Sequence, residues 1–200
     1  MKKLLVMILL FFSAIVADAQ IVKVTFGIKG VGLGTLPKTE IAPSTALQFG
    51  GGGGAFVGAR IWNYLGVQAE VLYGFQTAEY PTTTFGNQTW TSNQSYMYIP
   101  FVLQGWATRN FAVELGYQQA IAMSGTLSDG NNVKDDTGIL DYGSFLVGMN
   151  FNLGKVVFLN LRYTLAMQNS YVMTTEPSRN MGFQVGLGFR FFNSKKSVFE

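Results

Sequence analysis

Apolar and polar side chains alternate with period two along most of the chain. Eight such runs, bounded by turn-forming residues, fall at about 21–33, 49–62, 65–79, 96–107, 111–125, 142–153, 156–168 and 181–192. No stretch after Ile21 sustains apolar residues at helical spacing. Successive side chains of a strand point to opposite faces, so the pattern predicts strands with two different surfaces. One surface reads Val24, Phe26, Ile28, then Ala55, Val57, then Val67, Val71, Tyr73, Phe75, and continues through Phe101, Leu103, Val113, Leu115, Phe145, Val147, Leu159, Leu161, Val185 and Leu187, without a charge. The other holds the charges inside the runs, Glu79 at the end of one run apart: Lys23, Lys29, Arg60, Glu70, Glu114, Arg162 and Arg190, interspersed with Gln, Asn and Gly.

The connections alternate in length. Asn63-Tyr64, Thr108-Arg109-Asn110 and Gly154-Lys155 are tight, whereas Gly34–Gln48, Tyr80–Ser95, Thr126–Asp141 and Asn169–Asn180 are long and polar. Short turns on one side and long loops on the other characterise barrels of the bacterial outer membrane. The charges decide which face meets lipid, because Arg or Lys at the bilayer midplane costs about 2–4 kcal/mol. A soluble barrel would place the apolar face inside and needs a strongly charged outer wall, and seven charges diluted by Gly and Gln are a poor one. The expected fold is therefore all-β: an eight-stranded antiparallel up-and-down transmembrane β-barrel with the apolar face on lipid. Trp62, Tyr64, Trp106 and Phe192 near the short turns, with Tyr80, Tyr96, Tyr98 and Tyr171 near the long loops, are expected to form two interfacial belts.

The first residues supply an address. Met1-Lys2-Lys3 is basic, Leu4 to Val16 has one serine and no charge, and Ala17-Asp18-Ala19 has the small-residue form of a cleavage site. The expected organisation is a signal peptide over 1–19, an outer-membrane barrel over 20–192 and a polar tail over 193–200. Of the 200 residues only 12% are charged, and the net charge is +3, too small to indicate a nucleic-acid partner. With no Cys and no His, thiolate and His-ligated metal sites and Ser-His-Asp catalysis are excluded. No catalytic residue, enzyme activity or cofactor is expected.

Candidate sites follow from the inner face. Glu70 and Glu114 could form a carboxylate dyad of the glycosidase kind, but they share the lumen with Lys23, Lys29, Arg60, Arg162 and Arg190. A structural charge network of these seven residues is the better reading, since lone charges in a confined lumen are costly. The cationic surplus would favour anions if water had a path, and side chains should block that path in a barrel of eight strands. Asp129, Asp135 and Asp136 form an oxygen-rich cluster without calcium-loop spacing, so they are only weak metal candidates. Gly27 to Gly34 and Gly50 to Gly54 lack the following helix that a phosphate loop needs; close packing in a curved sheet explains them better. Pro100 removes a ladder donor and is read as a bulge near the outer rim.

Leu65-Gly66-Val67-Gln68-Ala69-Glu70-Val71-Leu72-Tyr73 and Tyr96-Met97-Tyr98-Ile99-Pro100-Phe101-Val102-Leu103 carry a family likeness, as do the first strand from Val24 and the last to Phe191. Over the whole mature chain the sequence resembles the small outer-membrane β-barrel family common in Bacteroidota, described as PorT-like or as the outer membrane protein beta-barrel domain. The resemblance implies residence in the outer membrane, contact with its lipid and with the barrel-insertion machinery, and an accessory role in protein secretion. A terminal aromatic usually signals insertion; here Phe191-Phe192 is followed by a polar tail, leaving Phe192 or Phe199 to serve. The functional expectation is a barrel with a filled lumen and exposed loops for structural or interaction roles, with a partner that the residues do not name. The alternative is a narrow porin-like channel for small solutes or ions.

Overall fold

Each alternating run becomes a strand. The computed structural model describes residues 22–38, 48–61, 64–82, 88–128, 133–135, 139–167, 171–173 and 176–193. Residues 1–19, expected to be a signal peptide, and most of the expected polar tail lie outside them. The strands are β1 (Val22–Lys38), β2 (Gln48–Ile61), β3 (Leu65–Thr82), β4 (Gln88–Trp106), β5 (Phe111–Ser128), β6 (Val133–Asp135), β7 (Tyr142–Asn152), β8 (Val157–Ala166), β9 (Tyr171–Met173) and β10 (Glu176–Asn193). Eight make an antiparallel sheet in the order β1-β2-β3-β4-β5-β7-β8-β10, which closes through pairing of β1 with β10. Closure leaves no sheet edge around the wall, which a backbone crossing lipid requires. The short strands β6 and β9 add to the outer ends of β5 and β10.

The three tight connections are turns. Tyr64 N–H donates to Ile61 O at 3.2 Å, Ala107 N–H to Phe111 O at 3.1 Å and Leu153 N–H to Val157 O at 3.0 Å. Both ends of the barrel sheet, Val22 and Asn193, lie on this short-turn side. At the opposite end the strands outrun the sequence pattern. β4 begins at Gln88 rather than near Tyr96, β3 runs to Thr82, and part of Thr126–Asp141 and of Asn169–Asn180 is strand. Here both faces are polar, so the alternation fades while the ladder continues.

The apolar face is outside. Ile28, Val57, Phe75, Leu103, Leu115, Phe145 and Val185 are all exposed, whereas Lys29, Glu70, Gln104, Glu114, Asn160 and Arg162 are buried within the barrel. Leu115, 60% exposed, tests this sidedness. Leu115→Arg is expected to lower unfolding free energy in lipid by about 2–4 kcal/mol, measured by urea titration in vesicles, while Ala107→Arg in a turn should leave it nearly unchanged.

Pro100 is not a bulge. Ala69↔Phe101 and Leu72↔Tyr98 keep one register on either side of it, and the shift in β4 falls at Ser95/Tyr96 instead. The β3–β4 ladder lapses for two positions at Pro100 and resumes without an inserted residue. A missing N–H interrupts a ladder locally, and the neighbouring pairs are enough to hold register.

Glycine shapes the wall and the lumen. A Cβ at Gly54 would strike the Val71 carbonyl and stand 2.8 Å from Leu72 Cα, and one at Gly52 would strike the Tyr73 carbonyl and stand 2.6 Å from Gly74 Cα. β2 therefore turns against the backbone of β3 more closely than any side chain permits. Elsewhere glycine makes room for a large neighbour: Gly188 lies under the Phe158 ring, Gly74 beside Tyr98 and Gly148 beside Arg162.

Candidate functional site

Strand tilt brings inward side chains from non-adjacent strands to one level. Lys29 on β1, Glu70 on β3, Glu114 on β5 and Arg162 on β8 meet in the lumen, and their side chains are 0% exposed. Arg162 joins the two carboxylates, with Nη2 at 2.6 Å from Glu70 Oε1 and Nε at 2.7 Å from Glu114 Oε2. Lys29 Nζ lies 3.1 Å from Glu70 Oε2 and donates to Asn160 Oδ1 at 2.9 Å. Two cations and two carboxylates leave the cluster neutral.

The remaining acceptor capacity is filled by amides. Gln68 donates to Glu70 Oε1 at 2.7 Å; Gln104, Asn150 and Asn160 donate to Glu114 at 2.9, 3.2 and 2.6 Å. Gln104 also donates to Gln68 at 3.1 Å, closing the ring. Buried charges persist only when paired and hydrogen-bonded; these amides complete that condition for the two carboxylates, while Arg162 Nη1 is buried without a hydrogen-bond partner. A carboxylate dyad for glycoside chemistry needs access to substrate; both carboxylates here are enclosed and held by Arg162.

Aromatic layers flank the cluster. Toward the long loops, Tyr96, Tyr98 and Tyr142 pack with Val31, Leu33 and Leu72, with Tyr96 ring centroids 5.8 Å from Tyr98 and 5.5 Å from Tyr142. Below them Gln184 donates to Gln118 at 2.9 Å, beside a cavity with room for about one water. Toward the short turns, Phe56 and Phe158 meet edge to face at 5.2 Å.

The seven predicted charges thus divide into two groups. Lys29, Glu70, Glu114 and Arg162 form the network, whereas Lys23, Arg60 and Arg190 lie at the short-turn mouth. Arg60 stacks over Trp106 at 3.9 Å, and Arg190 over Phe158 at 4.4 Å while donating to Asn152 Oδ1 at 2.7 Å. The mouth and the cluster are separate levels of the lumen.

The belt assignment also changes. Tyr96, Tyr98 and Trp106 are buried inside, at 0%, 3% and 7% exposure, and only Tyr64 of the described belt residues faces outward. Trp62, Tyr80, Tyr171 and Phe192 lie outside the residues whose side chains are described. Asp135 sits exposed on β6, Asp129 and Asp136 fall outside the described residues, and among those described no group of acidic side chains is placed to hold a metal.

A closed antiparallel wall of eight long strands, its exposed hydrophobic side chains outside and its ion cluster within, is an outer-membrane β-barrel. The chain belongs to the outer membrane protein beta-barrel domain family, whose sequence model matches residues 4–191. No curated protein sequence matches it. Among solved structures, Neisserial surface protein A is similar at TM-score 0.51 and 13% identity, covering 83% of this chain and 97% of that one. Ail of Yersinia pestis, solved with the heparin analogue sucrose octasulfate, is similar at TM-score 0.48 and 10% identity, covering 85% and 99%. At these identities the likeness is one of fold, and the fold is that of barrels of the bacterial outer membrane.

Proposed function

We propose that the protein works through its surfaces rather than its lumen: a sealed barrel that anchors outward-facing segments, chiefly Tyr80–Ser95 and Thr126–Asp141, for structural or interaction roles. The observation that carries this reading is the ion cluster, four fully buried charged side chains spanning the lumen between strands β1, β3, β5 and β8. The tyrosine layer above it supports the same reading. Likeness to the PorT-like proteins of Bacteroidota adds an accessory role in protein secretion to the proposal. In the same reading residues 1–19 direct export and are removed before Gln20, and the last strand engages the insertion machinery through Phe192 or Phe199. The mature protein is an outer-membrane barrel over 20–192 with a polar tail.

Planar-bilayer recording of the purified protein tests it. No reproducible unitary steps are expected. Steps that disappear on Arg60→Gln or Arg162→Gln would overturn the sealed lumen and make the narrow channel the function.

A further inference from the structure

The closing strand places a glycine between two inward threonines. Gly182 on β10 is the direct partner of Thr35 on β1 and of Thr164 on β8. These three residues border a lumen cavity of about 20 Å³, which Gln118 and Gln184 and the rings of Tyr98 and Tyr142 also line. One water molecule needs roughly 10–15 Å³, so the space takes a single molecule of that size and nothing larger.

The polar atoms at the cavity have a shortage of hydrogens. Gln184 is buried, and its Nε2 donates to Gln118 Oε1 at 2.9 Å, but its Oε1 has no hydrogen-bond partner. Turning the amide over gives no relief, because its oxygen would then face the Gln118 oxygen. Both threonine hydroxyls already donate their hydrogens: Thr35 to Gln76 Oε1 at 3.0 Å and Thr164 to Gly182 O at 3.3 Å. What they offer to the cavity is oxygen lone pairs. A buried acceptor left without a donor is destabilising, so the occupant that fits is one that donates to more than one oxygen. None of the residues that line the cavity is charged, and a cation there would lose its hydration without a counter-charge.

We propose that this cavity is a binding site for one ordered water molecule, which donates to Gln184 Oε1 and to a threonine hydroxyl oxygen and so links β10 to β1 or β8 inside the lumen. The site depends neither on what the long loops bind nor on whether the lumen conducts, and its failure would leave the proposed function standing.

A crystal structure of the full-length protein with ordered solvent resolved is expected to show a peak within hydrogen-bond range of Gln184 Oε1 and of Thr35 or Thr164 Oγ1. In solution, oxygen-17 relaxation dispersion counts long-lived internal waters without interference from exchanging hydroxyl protons. Gly182→Ala, whose methyl would stand 2.9 Å from Thr164 Oγ1 and 3.8 Å from Thr35 Oγ1, is expected to remove one such water. Thr164→Val, which removes an acceptor and keeps the side-chain shape, is expected to shorten its residence. Gly105→Ala, with nothing within 4 Å of the added methyl, should leave both unchanged. An empty cavity in the crystal, or dispersion identical in the unaltered protein and in the Gly182 and Thr164 variants, would overturn the site. A peak that gains anomalous scattering on soaking with rubidium would overturn the water assignment in favour of a monovalent cation.

Discussion

Arg162→Met is expected to lower the unfolding free energy of the barrel by about 3–5 kcal/mol, because it strands two buried carboxylates without their shared cation. Glu70 keeps Lys29 at 3.1 Å, but Glu114 loses its only salt-bridge partner among the described residues and retains amide donors. Adding Glu114→Gln to Arg162→Met should recover part of the loss, since the uncompensated charge then disappears while the side-chain shape remains. Urea titration of the single and double variants, with loss of the heat-dependent electrophoretic shift as readout, gives the coupling between the two sites. Equal unfolding midpoints for Arg162→Met and for Arg109→Met, in an exposed turn, would mean that the cluster contributes nothing to stability.

The second large effect concerns space rather than charge. Gly54→Ala should destabilise by at least the upper part of the ~1–3 kcal/mol range usual for overpacking, because the atoms in the way are backbone and cannot rotate aside. A Cβ there meets the Val71 carbonyl and Leu72 Cα at once. Gly30→Ala, one strand away, adds a methyl whose nearest contact is Gly52 O at 4.0 Å, so it should be nearly neutral. The fraction of each variant recovered in heat-modifiable form from the outer membrane compares the two directly; similar recoveries would show that β2 can move away from β3.

Period two made the wall legible. A one-residue slip would turn every side chain to the other face, so a chain with the seven charges from Lys23 to Arg190 in one phase has a single consistent folding of its surfaces. The same phase already placed Tyr96, Tyr98 and Trp106 on the inner side, because Ile99, Phe101 and Leu103 hold the outer one in β4. The three rings follow that parity and not the belt pattern of interfacial aromatics. What alternation could not supply is which inward residues meet. Lys29, Glu70, Glu114 and Arg162 sit on strands that are not sheet neighbours of one another, and their meeting depends on strand tilt across the lumen, which no local pattern encodes. The outer strand ends were illegible for a simpler reason: Gln88-Thr89-Trp90-Thr91-Ser92-Asn93 is polar in both phases.

The pairing of β1 with β10 joins fourteen positions, from Thr25↔Asn193 to Lys38↔Arg179. Every other barrel ladder links strands consecutive around the wall and close in sequence, so each can begin as a local hairpin. This seam alone draws together the two ends of the chain, and its loop-closure entropy is met only after all the intervening hairpins exist. The order of assembly is thereby built into the topology: local ladders first, the seam last. A chain that lacks either terminal strand keeps all but one of its hairpins yet has no partner with which to finish the cylinder.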